Sequence, residues 1–289
     1  MPAAGLGSGR PRPLLQLAVL ASPAGRTVSR LVIDLHCHVL PGIDDGPATV
    51  EGSLALARAA VAAGMRTLVA TPHVSPRYPN DAATIAGVLG EVSVRLGEED
   101  IPLELRAGAE IAMTRLAEME PAELFGLGLG GGPWLLIEPP FAAAAAGLDT
   151  IVRDLLRRGH RVVLAHPERC PAFQRDPAML KALVDEGVLA SITAGSLVGS
   201  FGGDVRRFAL GLLEEDLVHN VASDAHDHLR RPPGVAEEIR SVGYGALCEW
   251  LTQAVPAAIL AGEDVPRRPA VAITVTRARR WPWRRDRAR

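Results

Sequence analysis

A chain of 289 residues that is 48% apolar and only 4% aromatic fits one large α/β domain or two small ones, with a core mostly of Ala, Val, Leu and Ile. Its formal charge of −2 excludes no class of partner, although residues 267–289 concentrate nine Arg against one Asp. The three cysteines, Cys37, Cys170 and Cys248, do not make a disulfide framework, and none has the Arg six residues later that a cysteine-dependent phosphatase needs; Ile43, Asp176 and Ala254 stand there instead.

No run of 18 apolar residues occurs, so no transmembrane helix is expected. Residues 1–30 read as a Gly/Pro/Ala-rich extension, disordered or preceding the true start. The apolar stretch 13–23, after Arg10 and Arg12, admits a signal sequence as the other reading. From Leu31 short apolar runs alternate with helical stretches. Strands are predicted at 31–35, 67–70, 103–107, 134–137, 161–165, 189–193 and 218–222. Amphipathic helices are predicted at 53–63 and 150–158, closed by Gly64 and Gly159, since glycine tolerates the left-handed conformation at a helix end. This alternation implies a parallel sheet, and seven units suit a closed barrel better than an open sheet. The domain is expected to span 31–265, with 266–289 as a basic tail carrying Trp281 and Trp283.

The first strand reads Ile33-Asp34-Leu35-His36-Cys37-His38. Alternation places Asp34, His36 and His38 on one face. Two neighbouring imidazoles can grip a metal ion, with Asp34 placed to orient one of them. An H-x-H pair alone is weak evidence. The later strands strengthen it, because their ends carry His73, Glu110, Glu138, His166 with Glu168 and Arg169, and Asp224 with His226. In a parallel barrel the C-terminal strand ends converge on one mouth. Strand 189–193 is the exception, ending in Thr193-Ala194-Gly195-Ser196. Glu110 is either a ligand or the cap of a helix beginning at Ile111. His160 and His219 fall at the opposite end and read as structural or surface residues, while His228 is either solvated or functional. The Asp44-Asp45-Gly46 turn contributes either a ligand or only a turn.

Mixed imidazole and carboxylate donors suit Mn²⁺, Fe²⁺ or Zn²⁺, and their number implies two or three ions. Such a cluster gives hydroxide near neutral pH and clamps the oxygens of an in-line displacement, which is phosphoester hydrolysis. Arg169 and one of the pair Arg230 and Arg231 are placed to hold phosphate oxygens.

The strings DLHCHVLPGIDDGP, ATPHVSPRYPN, GAEI, LIEPP, LAHPERC, ITAGSLVGSFG and LVHNVASDAHDHLRRPP closely resemble the PHP-superfamily tyrosine phosphatases of the CpsB/YwqE type, from about Leu31 to Gly262. The resemblance implies a distorted (β/α)7 barrel with the metal site at the C-terminal ends of its strands. It implies metal ligands His36, His38, Asp45, His73, Glu110, Glu138, His166, Asp224 and His226, catalytic arginines Arg169 and Arg231, and Mn²⁺ as the cofactor. It thereby selects Asp45 over Asp44 and Arg231 over Arg230. The implied substrate is phosphotyrosine on a bacterial tyrosine kinase that controls capsular or exopolysaccharide synthesis. Cleavage would use a metal-bridging hydroxide without a covalent intermediate. Cytoplasmic placement is expected, with the Arg-rich tail available for peripheral contact with the inner face of the membrane or with the kinase. Histidinol phosphate or a nucleic-acid phosphodiester is the alternative substrate, although no nucleic-acid partner is expected. Pro139 and Cys170 depart from the family pattern beside Glu138 and Arg169.

Overall fold

The computed structural model describes residues 31–141 and 147–271. The expected extension 1–30 and the tail beyond 271 lie outside the described residues. Strand β1 (Val32–Cys37) is buried on both faces, with Leu35 and Cys37 opposite Asp34 and His36, as expected for a parallel strand covered on both sides. Helix α1 (Val50–Ala62) starts at Thr49, whose hydroxyl accepts the Gly52 N–H at 3.3 Å. It stops before Gly64 at φ 93°. Then come β2 (Met65–Ala70), β3 (His73–Val74), α2 (Ala82–Glu98), β4 (Glu104–Ala107), β5 (Glu110–Ala112), α3 (Pro121–Gly126) and β6 (Trp134–Glu138). Helix α4 (Leu148–Arg157) ends before Gly159 at φ 85°. The chain continues through β7 (Arg161–Ala165), α5 (Pro171–Arg175), α6 (Pro177–Asp185), β8 (Leu189–Thr193), α7 (Ala194–Val198), α8 (Gly203–Glu214), β9 (Asn220–Ala222), α9 (Ala236–Ser241) and α10 (Val255–Ala261).

All the paired strands run parallel, in two sheets ordered β1-β2-β4 and β3-β5-β6-β7-β8-β9. The expected α/β class and parallel pairing are present, but among the described residues the strands do not form the expected closed sheet. Two of the predicted strands, 67–70 and 103–107, match β2 and β4 and are each followed after a break by a further short strand in the other sheet. Between β2 and β3 lies Thr71-Pro72, where proline has no N–H to give to a ladder. Between β4 and β5 lies Gly108-Ala109, where the backbone passes so close to β2 that a Cβ on Gly108 would stand 2.8 Å from Val69 Cγ1. At the other edge no ladder pairs β9 with β1 among the described residues; the segment after β9 reaches β1 through an isolated bridge between Cys37 and Ala225. That bridge is flanked by the Asp224 N–H to His36 carbonyl bond and the His38 N–H to Ala225 carbonyl bond, both 2.9 Å.

The described start of the expected tail lies against the body. Trp250 Nε1 donates to the Pro266 carbonyl at 3.0 Å, and Arg268 pairs with Asp216 at 2.8 Å. Among the described residues no helix is long and apolar enough to cross a membrane.

Candidate metal centre

Strand ends bring the titratable side chains to one place, from the C-terminal ends of β1, β6, β7 and β9 and from the first residues of β3 and β5. His36 and His38, at and just after the end of β1, point their Nε2 atoms at each other across 3.2 Å. Both atoms lie 3.3 Å from Glu110 Oε2 at the start of β5 and 3.5–3.6 Å from Asp224 Oδ1 after β9. His73 Nδ1 reaches the same Glu110 oxygen at 3.0 Å, and its Nε2 stands 3.4 Å from Asp45. His226 Nε2 is 3.3 Å from Asp45. Glu138, closing β6, lies 3.9 Å from both His73 and His166.

Three overlapping groups result whose donor atoms lie within 4.8 Å of one another: His38, Asp45, His73 and His226; His36, His38 and Glu110; and His73, Glu110 and Glu138. Seven of the nine expected ligands fall in these groups. His166 and Asp224 stand at their border, His166 Nε2 at 2.7 Å from Glu110 Oε1. Both take the left-handed conformation, His166 at φ 31° and Asp224 at φ 52°, which is costly for a residue with a Cβ and collects at functional sites. Backbone bonds hold them there, from His166 N–H to the Ser191 carbonyl and from Asp224 N–H to the His36 carbonyl.

The donor set fits divalent cations. Glu110 is 1% exposed, yet its Oε2 has no hydrogen-bond donor and faces three imidazole nitrogens. The His38 Nδ1 proton goes to Asp44 at 2.7 Å, which leaves Nε2 bare toward the cluster in the neutral tautomer. His226 Nδ1 likewise faces the Asp224 carbonyl at 3.0 Å, which leaves its Nε2 for the Asp45 side. Such fixing of the far ring nitrogen is how metal-binding histidines are oriented.

The electrostatics agree. Burial and the neighbouring Glu110 charge push the Glu138 carboxyl up to about 7. Burial works against ionisation of Glu110 as well, but the surrounding His36, His166 and His38 hold its carboxyl well below the usual range. Burial disfavours a charged His38, yet Asp224, Asp44 and Glu110 outweigh it and raise the imidazole well above its ordinary value. In the absence of a cation a proton takes its place. The hydrogen bond from His226 holds Asp45 below the carboxylate range.

Asp44 and Asp45 divide the work of their turn. Asp45 side-chain oxygen faces three imidazoles and is 46% exposed, whereas the Asp44 side chain is fully buried and binds His38 Nδ1, Gly46 N–H and His73 N–H. Gly46 is required because a Cβ there would collide with the His38 carbonyl. The sequence reading of Asp34 needs correction. Asp34 orients no imidazole; its carboxylate accepts the Ser223 hydroxyl at 2.5 Å and the Ser223 and His36 N–H groups. It therefore ties β1 to the segment that carries Asp224. Glu110 opens a strand rather than capping a helix.

Arg169 and Arg231 converge on Asp224 Oδ2, at 2.5 and 2.6 Å. The exposed Arg230 donates its backbone N–H to Asp227, and His228 is also exposed. His160 and His219 line a separate cavity of about 400 Å³ at the N-terminal ends of β6, β7 and β8. Cys170 is buried and donates to the Pro140 carbonyl. Burial pushes both the Cys37 and the Cys170 thiols up, which disfavours the thiolate form.

Sequence reasoning missed Glu168 as a support. It is fully buried and accepts from Thr193 N–H at 2.9 Å and Ser196 hydroxyl at 2.7 Å. It also missed Phe141 and Phe201, on which Arg169 rests. In a chain with five Phe, Phe141, three residues after β6, offered a signal, whereas Phe201, beyond α7, offered none.

The family model described as capsular polysaccharide synthesis, CpsB/CapC, matches residues 32–246. The tyrosine-protein phosphatase YwqE of Bacillus subtilis is 40% identical over 197 residues, 68% of this chain and 78% of YwqE. The tyrosine-protein phosphatase CpsB of Streptococcus pneumoniae is 32% identical over 225 residues, 74% of this chain and 92% of CpsB. A crystal structure from work on YwqE and CpsB as metal-dependent tyrosine phosphatases superposes with a TM-score of 0.73 at 35% identity, covering 82% of this chain and 97% of that one.

Proposed function

The chain belongs to the CpsB/CapC family, and from that premise we propose that it is a metal-dependent phosphatase that removes phosphate from tyrosine on protein. One observation carries the reading: a buried group of imidazoles and carboxylates lies directly beside two guanidiniums that meet on one carboxylate oxygen. The first half is what divalent ions need and the second is what a phosphate needs.

The ligands in this reading are His36, His38, Asp45, His73, Glu110, Glu138, His166, Asp224 and His226. The ions are Mn²⁺, two or three in number, with Fe²⁺ and Zn²⁺ suited to the same donors. When bound, they supply hydroxide from water near neutral pH and Lewis acidity toward phosphate oxygens. Asp44 and the Asp224 carbonyl set which nitrogens of His38 and His226 face the site. Arg169 and Arg231 turn from Asp224 Oδ2 to the phosphate and offset the charge gathering on its oxygens. The leaving phenolate, whose conjugate acid has a pKa of about 10, departs without a strong general acid, and no residue forms a covalent link to phosphorus. The substrate protein in this reading is a tyrosine kinase of capsular or exopolysaccharide synthesis; the likeness to tyrosine-protein phosphatases and to the capsular polysaccharide synthesis family supports a phosphotyrosine protein of that process.

The experiment is hydrolysis of a phosphotyrosine peptide before and after exhaustive chelation. Chelated protein is expected to lose activity and regain it with Mn²⁺, and His36→Ala is expected to lose nearly all of it. Activity that survives chelation, or persists in His36→Ala, refutes the reading. Faster cleavage of histidinol phosphate or single-stranded DNA than of the peptide would reassign the substrate.

A further inference from the structure

Strand β8 brings no ligand to the mouth, yet the chain after it runs under both arginines. Phe201 lies three residues beyond the end of α7. The Arg169 guanidinium carbon is 4.5 Å from the centre of its ring, and that of Arg231 is 5.9 Å from the same ring. Arg169 also lies 5.2 Å from the Phe141 ring, so it is held between two aromatic groups. A cation within about 6 Å of a ring face is attracted by its quadrupole. Two like charges sharing one carboxylate oxygen repel each other, and a common aromatic floor offsets part of that repulsion without competing for their N–H groups.

The segment from α7 to Phe201 is built for this. Gly195 packs against the ring, where a Cβ would stand 3.3 Å from Phe201 Cε2 and from Ser200. One residue on, the Ser196 hydroxyl holds Glu168, the neighbour of Arg169. One short segment therefore supports the base of Arg169 through Glu168 and its tip through Phe201.

We infer that Phe201 is the positioning residue for both arginines, a platform that keeps them poised for phosphate when they leave Asp224. This rests on the phosphatase reading for its consequence in turnover, but not for its consequence in phosphate binding. An arginine bound only to Asp224 would lose its orientation on leaving it. One lying on Phe201 slides across the ring with its donors still directed into the mouth.

The test uses full-length, Mn²⁺-loaded protein, with inorganic phosphate as the calorimetric probe of the arginine pair. Phe201→Leu keeps apolar bulk and removes the aromatic face. It is expected to weaken phosphate binding about ten-fold and to raise KM for a phosphotyrosine peptide by a similar factor, with metal content unchanged and kcat altered much less. Phe201→Tyr keeps the face and is expected to restore both values. Gly195→Ala is expected to shift them in the same direction as Phe201→Leu by crowding the ring. If Phe201→Leu does not fold, Phe201→Met replaces it with the same expectations. Phosphate affinity in the aliphatic variant within two-fold of wild type, or an equal loss in Phe201→Tyr, overturns the inference. A wild type that binds phosphate but cleaves no peptide overturns the phosphatase reading instead, and the binding comparison still decides on Phe201.

Discussion

Replacing Asp44 by alanine separates an orienting carboxylate from a ligand. Asp44 accepts from His38 Nδ1 at 2.7 Å, from Gly46 N–H at 2.9 Å and from His73 N–H at 3.2 Å. It therefore fixes one imidazole, its own turn and the backbone of a second imidazole. Its alanine variant frees the His38 ring and leaves three donors unsatisfied. Loss of an outer carboxylate of this kind lowers metal affinity about 10- to 100-fold, or about 1.4–2.7 kcal/mol. Hydrogen bonds to a charged group contribute about 1.5–3 kcal/mol each, and water can replace part of the set, so a stability loss of about 3 kcal/mol is expected. For a domain of this size that lowers Tm by about 6–12 °C. Competition of Mn²⁺ against a fluorescent chelator measures the first effect, and calorimetry of chelated protein measures the second. Asp45→Ala is expected to weaken metal binding with little change in the Tm of metal-free protein, since the Asp45 side chain is 46% exposed. Unchanged metal affinity and Tm in Asp44→Ala, or equal Tm losses in the two variants, would refute this division of labour.

Two further outcomes follow from residues away from the ligands. His219 Nδ1 accepts the Ala190 N–H at 3.3 Å, and burial, with Arg268 nearby, lowers its pKa to about 4. The unfolded chain then binds more protons than the folded one between pH 6.5 and about 4. The resulting stability is present above pH 6.5 and lost as pH falls through that window, by about 3 kcal/mol in all. Denaturant titrations of chelated wild type and His219→Asn should converge toward pH 4, and parallel curves would contradict it. Ser196→Ala removes one of the two donors to Glu168 Oε1 and should cost about 1–2 kcal/mol of stability. It should also cut kcat/KM by several-fold through Arg169, and unaltered kinetics would detach Glu168 from that arginine.

Much of the fold was legible because apolar runs and glycine stops coincide with real elements. The predicted strands 161–165 and 189–193 match β7 and β8, and both predicted helices end beside positive-φ glycines. The splitting of the sheet was not legible. Thr71-Pro72 and Gly108-Ala109 look like strand ends in the sequence, whereas the chain resumes pairing beyond each as β3 and β5. In the site, strand alternation placed Asp34 correctly on the inward face but could not reveal that Ser223, 189 positions away, would claim its carboxylate. Nor could spacing alone separate Asp44 from Asp45. Their difference lies in which one is buried against His38, a consequence of the turn closing on Gly46. Phe201 escaped notice because an aromatic in a loop carries no chemistry until something charged lies on it.

The broken sheet gives the ions a second role. His36 and His38 issue from the three-stranded sheet, while His73, Glu110 and Glu138 issue from the six-stranded one. Where the backbone ladder lapses at Pro72 and Gly108, the side chains on either side of the gap are those proposed to share cations. Coordination bonds would then reinforce a seam that few amide hydrogen bonds cross, among them Glu110 N–H to the Pro72 carbonyl and Asp224 N–H to the His36 carbonyl, so filling the site would also tighten the joint between the two sheets. Metal supply would govern how tightly this molecule is fastened as well as whether it reacts.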